Sequence, residues 1–140
     1  MVTLPIANKN THYTVNPTKI IALGLNYKDH IAESKSVNVQ GFSDAIPEEP
    51  ILFPKTPNVL IGHQETIILP TFVDTYNFED TRTDYEAELA LIINRTCKNV
   101  SPDNAMDVIF GFSCMNDVSQ RNIQRGDKSG WFRGKSFDTF

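Results

Sequence analysis

The chain is short of the features that most readily assign a function. Its 140 residues include two cysteines, Cys97 and Cys114. Neither stands in a C-x-x-C pair, so cysteine-based zinc spacing is excluded, and a lone disulfide would be unusual in a secreted chain of this size. Both read as reduced thiols of a cytoplasmic protein. Positive charge is also scarce: 13 Lys and Arg stand against 17 Asp and Glu, a net charge of −4. No basic track opposes that balance, which argues against nucleic acid or an anionic membrane as partner. No apolar run approaches membrane-spanning length. Met1-Val2-Thr3-Leu4-Pro5 lacks the charged start and apolar run of a secretory signal. Repeats and low-complexity tracts are absent. What remains is an ordinary globular composition, 40% hydrophobic, which corresponds to one domain or a piece of one.

Apolar runs separated by turn residues predict a mixed β fold with short helices. Residues 1–18, with Pro5 and Pro17, read as an extended lead-in, and residues 19–140 as the body of the domain. Strands are expected at Ile20–Leu25, Pro50–Lys55, Val59–Gly62, Thr66–Pro70, Asp84–Ile93 and Val108–Met115, those at 20–25 and 84–93 in buried positions. Asn26–Glu33 suits a short helix. Residues 34–49, rich in Ser, Asn, Gly, Asp and Pro, read as a long loop of the kind that forms lids. Ser101-Pro102 marks a helix start. Val118–Arg125 allows one or two helical turns, and Trp131–Phe140 begins like another strand.

The stretch that organises the chain is Asp84-Tyr85-Glu86-Ala87-Glu88-Leu89-Ala90-Leu91-Ile92-Ile93. On a strand Glu86 and Glu88 point the same way, roughly 7 Å apart at Cα. Two like charges at the mouth of a core repel unless a cation lies between them. Two solvent-facing glutamates are the plainer alternative. Asp117, at the end of the next long apolar strand, reaches the same place if the two strands pair; as a helix cap with Gln120 it would have a different task. Three carboxylates without Cys or His specify a hard, oxygen-preferring ion, Mg²⁺ first, then Mn²⁺ or Ca²⁺. His30 and Glu33 share a helical face, as a base and its orienting carboxylate would, or as a solvated polar pair. Arg121 and Gln124 share another; Arg121 suits a substrate carboxylate or a surface pair with Asp117. Gly134-Lys135-Ser136 is no phosphate loop, because only Trp131, Phe132 and Arg133 separate Gly130 from Gly134 and their bulk would block the approach. Lys135 is left as a cation for a carbonyl oxygen, or as a surface lysine.

Taken in order, these segments resemble the fumarylacetoacetate hydrolase superfamily. Gly24-Leu25-Asn26-Tyr27-Lys28-Asp29-His30-Ile31-Ala32-Glu33 resembles its G-L-N-Y-x-D-H-x-x-E signature. Pro50–Pro57 resembles its P-x-x-F-x-K segment, and Asp84–Ala90 resembles D-Y-E-x-E-L-A. Asn116-Asp117-Val118-Ser119 with Arg121, and Trp131 with Gly134-Lys135-Ser136-Phe137-Asp138, resemble N-D-V-S-x-R and W-x-x-G-K-S-F-D. The resemblance runs from about residue 19 to the end. Gln120 and Asn122 depart from it, standing where Ala and Asp are common.

The resemblance implies a β-roll or sandwich-like barrel, here incomplete at its C-terminal side, and a homodimer. It implies Glu86, Glu88 and Asp117 as ligands of Mg²⁺, and His30 with Glu33 as a catalytic dyad on a closing segment. It also implies Arg121, Gln124 and Lys135 as substrate contacts. The implied substrates are α-keto or β-diketo acids, cleaved, decarboxylated or isomerised through an enolate. Lys135 would help polarise the carbonyl, and His30 would activate water in hydrolytic members. The competing expectation is a truncated, inactive homologue or a half-domain that needs a complementing chain. A metal-dependent nuclease is disfavoured by the acidic balance.

Overall fold

The computed structural model describes residues 1–36, 46–129 and 131–140, the side chains of residues 33–36 excepted. The apolar, β-branched runs form strands: β1 (Val2–Pro5), β2 (His12–Val15), β3 (Ile20–Gly24), β4 (Ile51–Lys55), β5 (Thr83–Asp84), β6 (Ala87–Ile93), β7 (Ile109–Asn116) and β8 (Ser119–Gln120). Three short helices accompany them: α1 (Lys28–Ser36), α2 (Arg121–Gln124) and α3 (Phe132–Lys135). The strands pair antiparallel as four two-stranded ribbons, β1–β2, β3–β4, β5–β8 and β6–β7. This is the expected mixture of small sheets and short helices. No closed barrel joins the ribbons among the described residues.

The longest ribbon sets the position of the organising stretch. Ala87 faces Asn116, Glu88 faces Met115 and Leu91 faces Phe112. The chain enters β6 through Glu86 and leaves β7 into Asp117, so this register brings the two acids side by side. The Asp117 N–H donates to the Glu86 carbonyl at 2.9 Å. The ribbon is not the buried sheet that its composition predicts. Leu89, Leu91, Ile93 and Phe112 are each half-exposed or more, because they share one face of a two-stranded ribbon that no further strand covers among the described residues. Phe110, on the same face, stacks on Tyr13 of the β1–β2 hairpin, their ring centroids 3.9 Å apart. Ile21 and Leu23 of β3 are exposed for the same reason.

Other expectations change with context. Residues 1–18 are not simply extended: β1 and β2 form a hairpin, turned through Asn8 at φ 60° and closed by Ile6 N–H to Thr11 O at 3.0 Å. Neither Val59–Gly62 nor Thr66–Pro70 is a strand. Pro57–Val59 winds into a 3₁₀ turn and Gly62–Glu65 into a tight turn, and Ile68 gives its N–H to the Thr139 hydroxyl instead of to a ladder. Trp131–Phe140 starts with the helical turn α3, with Trp131 held at φ 70° ahead of it, not with a strand. The helix start at Ser101-Pro102 is present as a 3₁₀ helix over Pro102–Val108. Residues 37–45, most of the expected lid loop, lie outside the described residues. Among the described residues, no helix is long and apolar enough to cross a membrane.

The buried apolar residues are few and spread along the chain, and one group of them gathers around β4, α2 and α3. Phe53, Val118, Ile123 and Phe140 are buried, and Trp131 meets Phe53 edge-on at 5.5 Å. Lys55, Asp117, Ser119, Gln120 and Lys135 are buried with them. So much buried polarity in so small a core marks the site.

Candidate functional site

Asp117 is the centre of a charged cluster. It is completely buried, and each carboxylate oxygen takes an ammonium group: Lys55 Nζ donates to Oδ1 and Lys135 Nζ to Oδ2, both at 2.7 Å. Lys135 also pairs with Glu86 Oε2. The other oxygen of Glu86 receives Arg121 Nη2 at 2.6 Å. Buried charges survive only when paired and hydrogen-bonded, and here each has at least one opposite partner. Oxygens of Glu86, Glu88 and Asp117 lie within 4.8 Å of one another. The structure therefore brings together the three carboxylates that the strand spacing and the third acid predicted.

Their environments differ. Burial alone would raise the Glu86 carboxyl, but Lys135 and Arg121 overcome it and hold the group below the usual glutamate range. Glu88 has no such partner. Burial, reinforced by the Asp117 and Glu86 charges, pushes it up to about 7. Among the described residues, Glu88 is thus the one carboxylate of the three left without a cationic partner, and a divalent cation would supply one. The residues present fit such an ion: their donors are all hard oxygens, one from each of three side chains.

Local sequence explains the remaining placements. Gln120, not Asp117, caps α2: its Oε1 accepts from Ile123 N–H at 2.8 Å. Asn122 ties α2 to the preceding loop, donating to Asp80 O and accepting from Arg82 N–H, both at 2.7 Å. The two departures from the family pattern thus anchor the helix that carries Arg121 and Gln124. Arg121 does not pair with Asp117. Its Nε donates to Asp84 Oδ2 at 2.9 Å and its Nη1 to Gln124 Oε1 at 3.0 Å. Gly134 lets α3 lie against α2, since a Cβ there would meet the Gln124 backbone nitrogen at 2.8 Å. Lys135 is no surface lysine; it is 3% exposed, with its ammonium 5.1 Å from the centre of the Phe53 ring.

His30 is exposed on α1 and lines the same open cavity, of about 1720 Å³, as Glu86, Glu88, Arg121, Gln124 and Lys135. It makes no hydrogen bond to the carboxylates among the described residues. Glu33 follows three residues later on α1, and its side chain lies outside the described residues. Sequence reasoning missed Lys55. Burial pulls its ammonium below the usual lysine range, and the pair with Asp117 only partly offsets this. The available signal was its place two residues after Phe53, on the core face of the same strand.

The sequence profile described as Fumarylacetoacetate (FAA) hydrolase C-terminal matches residues 19–140. Among curated proteins, the chain is 35% identical over 143 residues to a 2,4-didehydro-3-deoxy-L-rhamnonate hydrolase of a Sphingomonas strain, covering all of this chain and 45% of that one. It is 39% identical over 127 residues to the mitochondrial oxaloacetate tautomerase of Xenopus laevis, covering 89% and 35%. Among solved structures, it superimposes on a 5-carboxymethyl-2-hydroxymuconate delta-isomerase from Mycobacterium smegmatis with a TM-score of 0.68 at 34% identity, covering 89% of this chain and 43% of that one. The chain spans less than half the length of these relatives.

Proposed function

The chain belongs to the fumarylacetoacetate hydrolase family, and on that premise we propose that it carries the metal-binding and proton-handling residues of an enzyme acting on keto acids by hydrolysis, decarboxylation or isomerisation. The observation that carries this reading is the convergence of Glu86, Glu88 and Asp117 beside the buried Lys135, with the two glutamates and the lysine lining an open cavity. These carboxylates would hold Mg²⁺, with Mn²⁺ or Ca²⁺ as substitutes. When bound, the ion would act as a Lewis acid toward a keto-acid carbonyl.

The chain's own residues perform the rest. Lys135, fixed between Glu86 and Asp117, places a positive charge where negative charge develops on the substrate oxygen, in surroundings that amplify its effect. Arg121 is braced by Asp84, Glu86 and Gln124, yet each terminal nitrogen keeps an N–H for a substrate carboxylate. Gln124 accepts from Arg121 through its oxygen, which leaves its amide N–H groups as donors. His30, which lines the cavity from α1, would take the proton of water in hydrolysis, and the family pattern pairs it with Glu33. A homodimer and a β-roll completed by further strands belong to the same reading.

The test is metal-dependent turnover of oxaloacetate or an acylpyruvate by chelator-treated protein before and after Mg²⁺ is restored. Activity should return with Mg²⁺ and be lost in Glu86→Ala; full activity in that variant, or turnover without metal, would sink the mechanism. A second reading, a half-domain that needs a complementing chain, is favoured by the exposed apolar face of β6–β7 and by the fraction of its relatives that the chain spans. Metal binding without turnover, together with self-association, would select it.

A further inference from the structure

Lys55 lies outside every role assigned above, yet its ammonium is buried in the core. It is 5% exposed, on the inward face of β4, where Ile20 of β3 is its cross-strand neighbour. The long stem packs like an apolar side chain and the head makes two bonds. One goes to Asp117 Oδ1 at 2.7 Å, the other to the backbone carbonyl of Lys135. The first fixes which oxygen of Asp117 is left toward Glu86 and Lys135. The second fixes the C-terminal turn of α3, from which the Lys135 side chain projects. That carbonyl otherwise belongs to a helix of 4 residues, too short to hold its own end. One ammonium from a different ribbon thus sets both the acid and the lysine of the site.

We propose that Lys55 is a positioning residue: it holds Asp117 and the Lys135 backbone in register, without itself reaching substrate. This rests on the metal-site reading above. Simple charge arithmetic predicts the opposite of positioning. A spectator ammonium near a cation site repels the ion, so its removal would tighten metal binding. A positioning ammonium orients a ligand, so its removal weakens binding, by about 10- to 100-fold for outer partners of metal ligands.

The experiment measures Mn²⁺ affinity of the full chain by titration calorimetry in wild type and Lys55→Met. In parallel, amine-directed acylation of the metal-free proteins is followed by mass spectrometry, with Lys9 and Lys19 as exposed internal controls. Positioning predicts weaker Mn²⁺ binding and severalfold faster labelling of Lys135, with the controls unchanged. Equal or tighter Mn²⁺ binding by Lys55→Met overturns it. If wild type binds no Mn²⁺, the metal reading fails on its own, and labelling decides: an unchanged Lys135 rate also overturns positioning. Should Lys55→Met fail to fold, Lys55→Arg carries the test, because it keeps the charge but replaces a compact ammonium with a planar fork. Weakened Mn²⁺ binding at wild-type melting temperature supports the role, and unchanged binding overturns it.

Discussion

Strand β6 has two ends that obey opposite rules. At its start, Glu86 and Glu88 meet Asp117, Lys55 and Lys135 in a half-buried to fully buried cluster of charge. Along the rest, Leu89, Leu91 and Ile93 face outward at 54%, 51% and 53% exposure. Charge is inside and hydrocarbon is outside, the reverse of the usual partition. The difference teaches where the energy lies. A fully buried leucine contributes about 1.5–3 kcal/mol, and these leucines are only half-covered. Removing one partner from a buried ion pair costs about 3–5 kcal/mol, because the other charge is left stranded. The polar end is the sensitive one.

The largest effect should come from Asp117→Ala. It strands the Lys55 ammonium, at 4% side-chain exposure, and leaves the buried Lys135 with Glu86 as its one carboxylate partner. A loss of about 3–5 kcal/mol in denaturant unfolding is expected. A loss under about 1 kcal/mol would mean that the cluster does not hold the core together.

An intermediate effect is expected from pH. The Glu88 carboxyl is pushed by burial and by the Asp117 and Glu86 charges from the ordinary glutamate value of 4.5 up to about 7, so the fold favours its protonated form. That contribution is fully present below 4.5 and is lost as pH rises through about 7. Metal-free protein should therefore melt at falling temperature across this window, and Glu88→Gln should flatten the fall. Divalent metal should reverse the trend, since binding requires the ionised carboxylate. A wild-type profile as flat as that of Glu88→Gln would contradict the contrast drawn between Glu86 and Glu88.

The smallest effect should be Leu91→Lys on the exposed face. In denaturant unfolding its cost should stay within about 0.5 kcal/mol, as for surface substitutions generally. A cost of several kcal/mol would show that another chain covers this face in solution, and would break the comparison between the two ends.

Much of this was legible in the residues. Period-two spacing put Glu86 and Glu88 on one face, and the next long strand delivered Asp117 beside them, because antiparallel pairing of consecutive strands is local. The strand at Ile51–Lys55, the helix carrying His30 and the turn pairing Arg121 with Gln124 follow from the same local patterns. Strands at 59–62 and 66–70 were not legible as failures, because apolar β-branched runs form strands only where a partner edge exists, and here none is offered among the described residues. The capping role fell to Gln120 instead of Asp117 because two lysines compete for that carboxylate, and neither is near it in sequence.

By itself, then, the sequence determined the chemistry of the chain: hard carboxylate donors, a lysine, an arginine and a histidine in a collinear order that belongs to one family. Residue type and short-range periodicity are enough for that. Only the tertiary structure decided which charges neutralise which. It made Lys135 an interior cation, turned Arg121 toward Asp84 and Glu86, and drew Lys55 from another ribbon onto Asp117. Those choices depend on β4 packing against α3, a contact between segments about eighty residues apart in the chain, whose energy no local pattern records.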